Sequence, residues 1–179
     1  MKFDWLDEPG KYSAISKALH WGMAAIFAWQ FTGMMLLATL GETPLSIFFI
    51  GSHGALGTLL FLLVALRLVW RAYNAHCRPG YEASLSGVLA KIGHAAIYGL
   101  IIVVPLLALL RSYGSGREFM PFGIPLWGAS EEKIVWLIEP ADLAHGLLAW
   151  ALLALIVGHI GMAIWHRVIK RDQVWQRMA

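Results

Sequence analysis

Four long stretches of this sequence contain no Lys, Arg, Asp or Glu, and they limit the fold more than any other feature. They cover residues 18–41, 43–66, 92–110 and 143–166. A charged side chain near the centre of a bilayer costs about 2.5 to 3.5 kcal/mol on insertion scales. Stretches of about 18 uncharged, mainly apolar residues therefore indicate spanning helices. The sequence therefore predicts an all-α membrane protein, a four-transmembrane-helix bundle.

Composition and length agree with one compact bundle in a lipid bilayer. Only 14% of the residues are charged and 59% are hydrophobic, which leaves too few charges to cover a soluble domain of 179 residues. Four spans of about 20 residues would use roughly half of the chain, so we expect residues 1–179 to form a single transmembrane domain. The expected spans are residues 14–40, 46–70, 88–110 and 142–166. We expect Ser13 to cap the first helix, the second to start after Pro44, and Pro105 to kink or weaken the third.

The basic residues lie mainly on one side of the predicted bundle. Eleven occur in the N-terminal segment, the second loop and the tail, whereas the first and third loops together hold three. The eleven are Lys2, Lys11, Lys17, Arg67, Arg71, Arg78, Lys91, Arg167, Lys170, Arg171 and Arg177. Because cytoplasmic flanks hold the excess of Lys and Arg, we expect both termini to be cytoplasmic. This asymmetry explains the net charge of +3, so nucleic acid is not expected as a partner.

The third loop, residues 111–142, is then predicted to face the exterior or periplasm. It carries the three remaining basic residues, Arg111, Arg117 and Lys133. We expect a short amphipathic helix near residues 131–138 of this loop, bounded by Pro125 and Pro140.

Five of the seven histidines fall inside the predicted spans, where ionisable side chains are rare and usually functional. At about 1.5 Å of rise per residue, their distances from the charged flanks place them at two depths. His53 and His145 fall in the outer half, and His20, His94 and His159 fall in the cytoplasmic half. A lone histidine in a span is as often a simple hydrogen-bonding group, but five in two layers favour metal ligands.

His145 and His159 are fourteen residues apart, within roughly 40° of whole helical turns and about 21 Å along one helix. One helix would thus supply an axial ligand of iron to each of two stacked haems. His53 is the available partner in the outer layer, whereas either His20 or His94 could serve in the inner layer. The single cysteine, Cys77, and the absence of a C-x-x-C-H motif indicate haem b.

Small and basic residues near these histidines fit the same interpretation. Gly54, Gly57 and Gly146 would let a porphyrin edge approach the backbone, although ordinary helix packing in membranes also uses glycine. Arg67 lies fourteen residues after His53 and could pair with the propionates of an inner haem. Its alternative role, as a basic anchor at the cytoplasmic surface, has equal weight.

These motifs resemble the prokaryotic cytochrome b561 family over nearly the whole chain. The resemblance implies that His20, rather than His94, pairs with His159 at the inner haem, while His53 pairs with His145 at the outer one. His94 would then lie beside the inner haem. The matching residues are Lys11-Tyr12-Ser13, Leu19-His20-Trp21, His53-Gly54, Arg67-Leu68, Arg71, Gly93-His94, Tyr98, His145, His159, His166 and the tail Lys170-Arg171-Asp172 to Arg177-Met178.

The same resemblance implies a function in the bacterial inner membrane. Similar proteins hold two haem b groups, oxidise superoxide at the periplasmic side and pass the electrons to ubiquinone in the membrane. Other members of the family relay electrons between a separate periplasmic redox protein and the quinone pool, and this alternative stays open. A haem-free subunit or a metal transporter is disfavoured, because the spans contain no Asp or Glu to accompany the histidines.

His166 lies seven residues after His159, on the same helix face and at the predicted cytoplasmic surface. Its neighbours Arg167 and Lys170 are basic. We hypothesise that His166 contributes to a quinone site or to proton entry, with an ordinary interfacial histidine as the alternative.

Overall fold

The computed structural model describes residues 5–78, 80–81 and 83–178. Its principal helices are α1 (Ala14–Leu40), α2 (Pro44–Gly51), α3 (His53–Tyr73), α4 (Leu85–Gly114) and α5 (Val135–Trp165), and α5 continues into a π-helical turn, His166–Lys170. The segments long and apolar enough to span a membrane are Ala14–Leu40, Pro44–Tyr73, Leu85–Gly114 and Val135–Lys170. The predicted all-α fold with four spanning helices is therefore confirmed for the part of the chain that the structure describes.

Side-chain caps fix where three of the spans begin. Ser13 accepts a hydrogen bond from the backbone N–H of Ser16, so it caps α1 as predicted. Thr43 and Ser46 form a reciprocal capping box around Pro44, the first residue of α2. Pro is favourable there because the first N–H groups of a helix have no partner within the helix. Ser84 caps α4 in the same manner as Ser13 caps α1.

The second span is interrupted at Ser52, between α2 and α3, and the sequence did not predict this break. Two consecutive residues of α1 hold the junction. Trp29 donates its indole N–H to the Ser52 hydroxyl at 2.8 Å, and Gln30 donates to the backbone carbonyl of His53 at 2.9 Å. The break therefore lies immediately before a predicted haem ligand.

Two prolines lie inside long helices. The predicted short helix near residues 131–138 is wrong, because α5 begins at Val135 and runs through Pro140. Pro140 is the sixth residue of α5, so its missing N–H removes a single helical hydrogen bond beyond the unpaired first turn. α4 likewise continues past Pro105 and remains helical to Gly114.

The helices pack around a small apolar core and leave large apolar side chains on the outside. The core contains Met23, Leu60, Val64, Ile101 and Leu152, with members from α1, α3, α4 and α5. Outside it, Leu143 and Leu147 on α5 are 81% and 72% exposed. Apolar surface of this kind needs lipid to cover it, as the fold class requires.

The end of the bundle where both termini lie is called the inner end here, and the opposite end the outer end. A buried polar network centred on Asp7 ties the inner end together. The Asp7 carboxylate accepts hydrogen bonds from the Ser13 N–H, the Ser16 hydroxyl and Arg78 Nε, the last at 2.7 Å. Burial by itself would raise the pKa of Asp7, but the bonds from Ser13, Arg78 and Ser16 outweigh it and hold this pKa below its ordinary value.

The C-terminal tail folds back onto the start of α1. The indole N–H of Trp21 donates to the Met178 carbonyl at 2.9 Å, and the backbone N–H of Tyr12 donates to the Arg177 carbonyl at 3.3 Å. The tail therefore covers the inner end next to His20, the residue that precedes Trp21.

Candidate functional site

The structure gathers the five histidines of the spans into two groups at opposite ends of the bundle. The outer pair is His53 and His145, with ring centroids 6.2 Å apart. The inner cluster is His20, His94 and His159, in which His159 lies 6.3 Å from His20 and 5.2 Å from His94. α5 contributes one histidine to each group.

The outer pair has one ring fixed by a hydrogen bond and one held through its backbone. His145 Nδ1 lies 3.0 Å from the Val104 carbonyl, which can only accept, so Nδ1 is the donor and Nε2 is the ring nitrogen available to a metal. A ring held in this way is typical of histidines that bind metals. The buried Nδ1 of His53 has no hydrogen-bond partner among the described residues, and this side chain is positioned through Gln30 and the break at Ser52.

A cavity of about 250 Å³ lies beside the outer pair. Its lining includes both histidines, Gly57 and aromatic side chains such as Phe31 and Phe119. Among the described residues that line it none is charged, and Gln30 is one of its few polar groups. This surface suits the apolar face of a planar cofactor better than a hydrated ion.

The inner cluster lies in polar and charged surroundings. Arg67 Nη1 is 3.0 Å from His20 Nδ1, and the Tyr81 hydroxyl is 3.1 Å from His94 Nδ1. Arg67 and Arg71 both lie over the ring of Tyr98, at 5.8 and 5.5 Å from its centroid. Arg67 Nε is buried and has no hydrogen-bond partner in the part of the chain that the structure describes. A partly buried guanidinium whose buried Nε has no partner in that part of the chain is suited to a carboxylate ligand.

The distances between the rings allow a test of whether these residues fit a bis-histidine iron. An imidazole nitrogen binds a metal at about 2.0 Å and lies about 1.1 Å from its ring centroid, so two opposed rings on one iron have centroids about 6.2 Å apart. The outer pair, at 6.2 Å, and His20 with His159, at 6.3 Å, both meet this value. His94 with His159, at 5.2 Å, is about 1 Å too close.

Glycines next to the histidines differ in how closely other residues approach them. A Cβ on Gly54 would lie 3.3 Å from the Phe119 ring, so that glycine admits Phe119 to the outer cavity. A Cβ on Gly146, Gly158 or Gly161 would meet nothing within 4 Å. These three positions on α5 are therefore not explained by close packing within the described chain.

His166 belongs to neither group. It lies in the π-helical turn that follows α5, and its Nδ1 is 2.6 Å from the Asp172 carboxylate. The hydrogen bond to His166 is the main reason that the pKa of Asp172 lies below its ordinary value. Asp172 also lines a surface cleft of about 430 Å³ together with Arg167, Arg171 and Trp175.

Sequence reasoning missed three residues of these sites, namely Gln30, Tyr81 and Phe119. Gln30 could have been found, because a polar amide in an uncharged span needs a partner within the protein. Tyr81 and Phe119 lie in loops, and their positions depend on how those loops fold back against α4 and α3.

Comparison with known proteins gives matches along nearly the whole chain. A family model described as prokaryotic cytochrome b561 matches residues 11–179, a range that includes both histidine groups. Cytochrome b561 homolog 2 of Escherichia coli (strain K12) is 28% identical over 181 residues, covering 95% of this chain and 92% of that protein. Probable superoxide oxidase CybB of Yersinia pestis is 25% identical over 176 residues, covering 94% of this chain and 95% of that protein.

Proposed function

This chain belongs to the prokaryotic cytochrome b561 family, and we propose that it holds two b haems, oxidises superoxide at the outer end and reduces ubiquinone in the membrane. Family membership makes it a multi-pass bacterial membrane protein of electron transfer, in a family that binds haem b. The number of haems, the substrates and the inner-membrane location are the parts that we add.

The observation that carries the proposal is the spacing of two histidine pairs. His53 with His145 and His20 with His159 each have the centroid separation expected for two imidazoles on one iron. Because the two ligands on α5 are about 21 Å apart along the helix, one haem would lie in each half of the bilayer. Held by these two histidine pairs, each haem would supply one-electron transfer.

The remaining inner residues have supporting roles in this proposal. His94 is too close to His159 to share an iron with it, and its Nδ1 is engaged by Tyr81. It would instead line the inner haem site. Arg67, with its unused Nε, would bind a haem propionate and add positive charge beside the inner haem.

The chain's polar residues also suit the proposed reaction. Two superoxide anions each lose one electron and become O2, and the quinone takes two electrons and two protons to become quinol. The excess of Lys and Arg at the inner end supports cytoplasmic termini, so electrons would enter from the periplasm. His166, bonded to Asp172 beside a surface cleft at the inner end, would deliver protons to a quinone.

One assay separates this function from an electron relay for a periplasmic redox protein. Purified protein is given a steady supply of superoxide and a soluble ubiquinone, and quinol formation is followed with and without superoxide dismutase. The proposal expects quinol formation that the dismutase abolishes and that His53→Ala removes. A protein that retains both haems but forms no quinol would instead be a relay. The name of the Yersinia relative, probable superoxide oxidase, favours the first outcome.

A further inference from the structure

The loop between α4 and α5 contains an uncharged stretch, residues 119–130, whose centre exposes large apolar side chains. Four of them, Met120, Phe122, Ile124 and Leu126, are between 46% and 62% exposed, and we call them the apolar tip. Isolated apolar residues are common on protein surfaces, but four within seven residues form a patch that needs an explanation.

Several backbone N–H groups of this loop form hydrogen bonds within the loop and so do not need water as a partner. Phe119 and Leu126 donate N–H groups to the carbonyls of Trp127 and Phe119. Gly123 and Ile124 donate to Met120 and Pro121 in a tight turn. Pro121 and Pro125 have no N–H at all. Six of the nine residues 119–127 thus have either a backbone N–H bonded within the loop or no N–H, which lowers the cost of moving this loop out of water.

Phe122, in the middle of the apolar tip, has an unfavourable backbone conformation. Phe122 has a φ of 54°, in the left-handed region that glycine and asparagine occupy most easily. This conformation costs a bulkier residue roughly 1 kcal/mol. Phe122 is nevertheless 62% exposed, so most of its surface is left uncovered by the described chain.

The depth of the loop follows from two contacts at the outer end and from the helical spacing between Asp142 and His145. Arg111 on α4 and Asp142 on α5 form a half-exposed ion pair, which marks the polar boundary. His145 lies three residues beyond Asp142, about 4.5 Å deeper along the helix. Because Phe119 packs at Gly54, next to the His53 of the same layer, the loop returns below the ion pair before its tip begins.

We propose that the apolar tip inserts into the outer leaflet, at the boundary between phospholipid headgroups and acyl chains. Interfacial amphipathic helices bury their apolar faces about 5 to 10 Å into this boundary, and the exposed Phe, Leu and Ile of the tip would enter to a similar depth. Trp136 at the start of α5 is 73% exposed at the same end, as expected of an interfacial belt. Residues 119–130 themselves carry no charge, as a segment in contact with acyl chains requires.

Lipid contact would then stabilise the loop over the outer histidine pair. Phe119 precedes the tip directly and lines the cavity that also contains His53 and His145. Anchoring the tip would hold the Phe119 ring in that position. This consequence requires no assumption about haem number or substrate.

The test is to measure the depth of labelled positions in lipid vesicles. The exposed Cys77 is first changed to Ser, and Ile124→Cys and Met120→Cys variants are each labelled with a small fluorophore. Glu131→Cys, in the polar part of the same loop, is the matched control. Each protein is purified with its haem and reconstituted into phosphatidylcholine–phosphatidylglycerol vesicles. The fluorescence of the label is then quenched either by brominated lipid or by iodide added on both sides of the vesicle membrane.

We expect the labels at positions 120 and 124 to be quenched several-fold more by brominated lipid than the label at 131, with the opposite order for iodide. If iodide reaches 120 and 124 as readily as 131, the tip is in water and the proposal is wrong. If only one of the two tip variants keeps its haem spectrum, the quenching of that variant alone is compared with the control at 131. Neither result depends on enzymatic activity, so failure here is distinct from failure of the proposed function.

Discussion

The outer histidine pair and the inner histidine cluster share α5, but the outer pair has apolar surroundings and the inner cluster has polar and charged ones. The outer pair lies beside an apolar cavity, and one of its rings is fixed by the Val104 carbonyl. The inner cluster has a third histidine, the guanidinium of Arg67 and a hydroxyl from Tyr81. One helix therefore places imidazoles in two environments that would affect a bound haem differently.

The difference has an electrostatic consequence. Positive charge stabilises a haem that has gained an electron, and the low dielectric of a protein interior screens that charge weakly. Arg67 would therefore raise the reduction potential of an inner haem above that of the outer one. Electrons entering at the outer end would then move toward the inner end with a favourable free energy.

The largest expected effect is a loss of haem that distinguishes His20 from His94. His20→Ala should reduce the haem content from two per chain to one, because His20 has the separation from His159 that an iron requires. His94→Ala should retain both haems. Haem extraction with protein quantification measures the difference. Loss of one haem in His94→Ala with full content in His20→Ala would reverse our assignment.

The next effect concerns the polar inner end alone. Asp7→Ala removes the partner of the buried Arg78 and should lower the free energy of unfolding by about 3 kcal/mol. Because the pKa of Asp7 is lowered in the folded chain, its contribution should be complete above pH 3.8, the ordinary value, and decrease as pH falls through the lowered pKa. Thermal denaturation in detergent measures both. A variant as stable as the parent would show that the network contributes little.

A smaller effect is expected at the junction of α2 and α3. Gln30→Leu removes the hydrogen bond to the His53 carbonyl and should cost about 1 kcal/mol of stability. Because the junction positions His53, electron paramagnetic resonance should show altered g values for the outer haem only. Thr32→Val is the matched control, since the exposed Thr32 hydroxyl bonds within its own helix. Equal spectra for both variants would remove Gln30 from the outer site.

The smallest effect tests the electrostatic difference itself. Arg67→Gln removes the buried charge and should lower the inner midpoint potential by tens of millivolts, while the outer potential stays constant. Redox titration followed optically resolves the two haems. Arg117→Gln, an exposed arginine of the outer loop, serves as the control. A shift of both potentials by the same amount would contradict a local effect of Arg67.

Much of the fold could be predicted from the sequence because its physical causes are local. Missing charges mark the spans, and the Ser13 hydroxyl caps the helix that follows it. Pro140 misled the prediction of a separate short helix. A proline disturbs a helix least near its start, where the first N–H groups have no helical partner, and Pro140 is only the sixth residue of α5.

The site was predictable along each helix but not between helices. Spacing alone gave the two depths of His145 and His159, because the rise of a helix is fixed. It could not choose between His20 and His94, since that choice depends on how closely α1 and α4 approach α5. The break at Ser52 was hidden for the same reason, as the groups that hold it come from Trp29 and Gln30 on α1.

The central claim is that two histidine pairs each hold one haem, and the haem content of the purified protein tests it most directly. A reduced-minus-oxidised optical spectrum, combined with haem extraction, should give two low-spin b haems per chain. A ratio of one would eliminate one of the two pairs, and a ratio of zero would contradict the account as a whole.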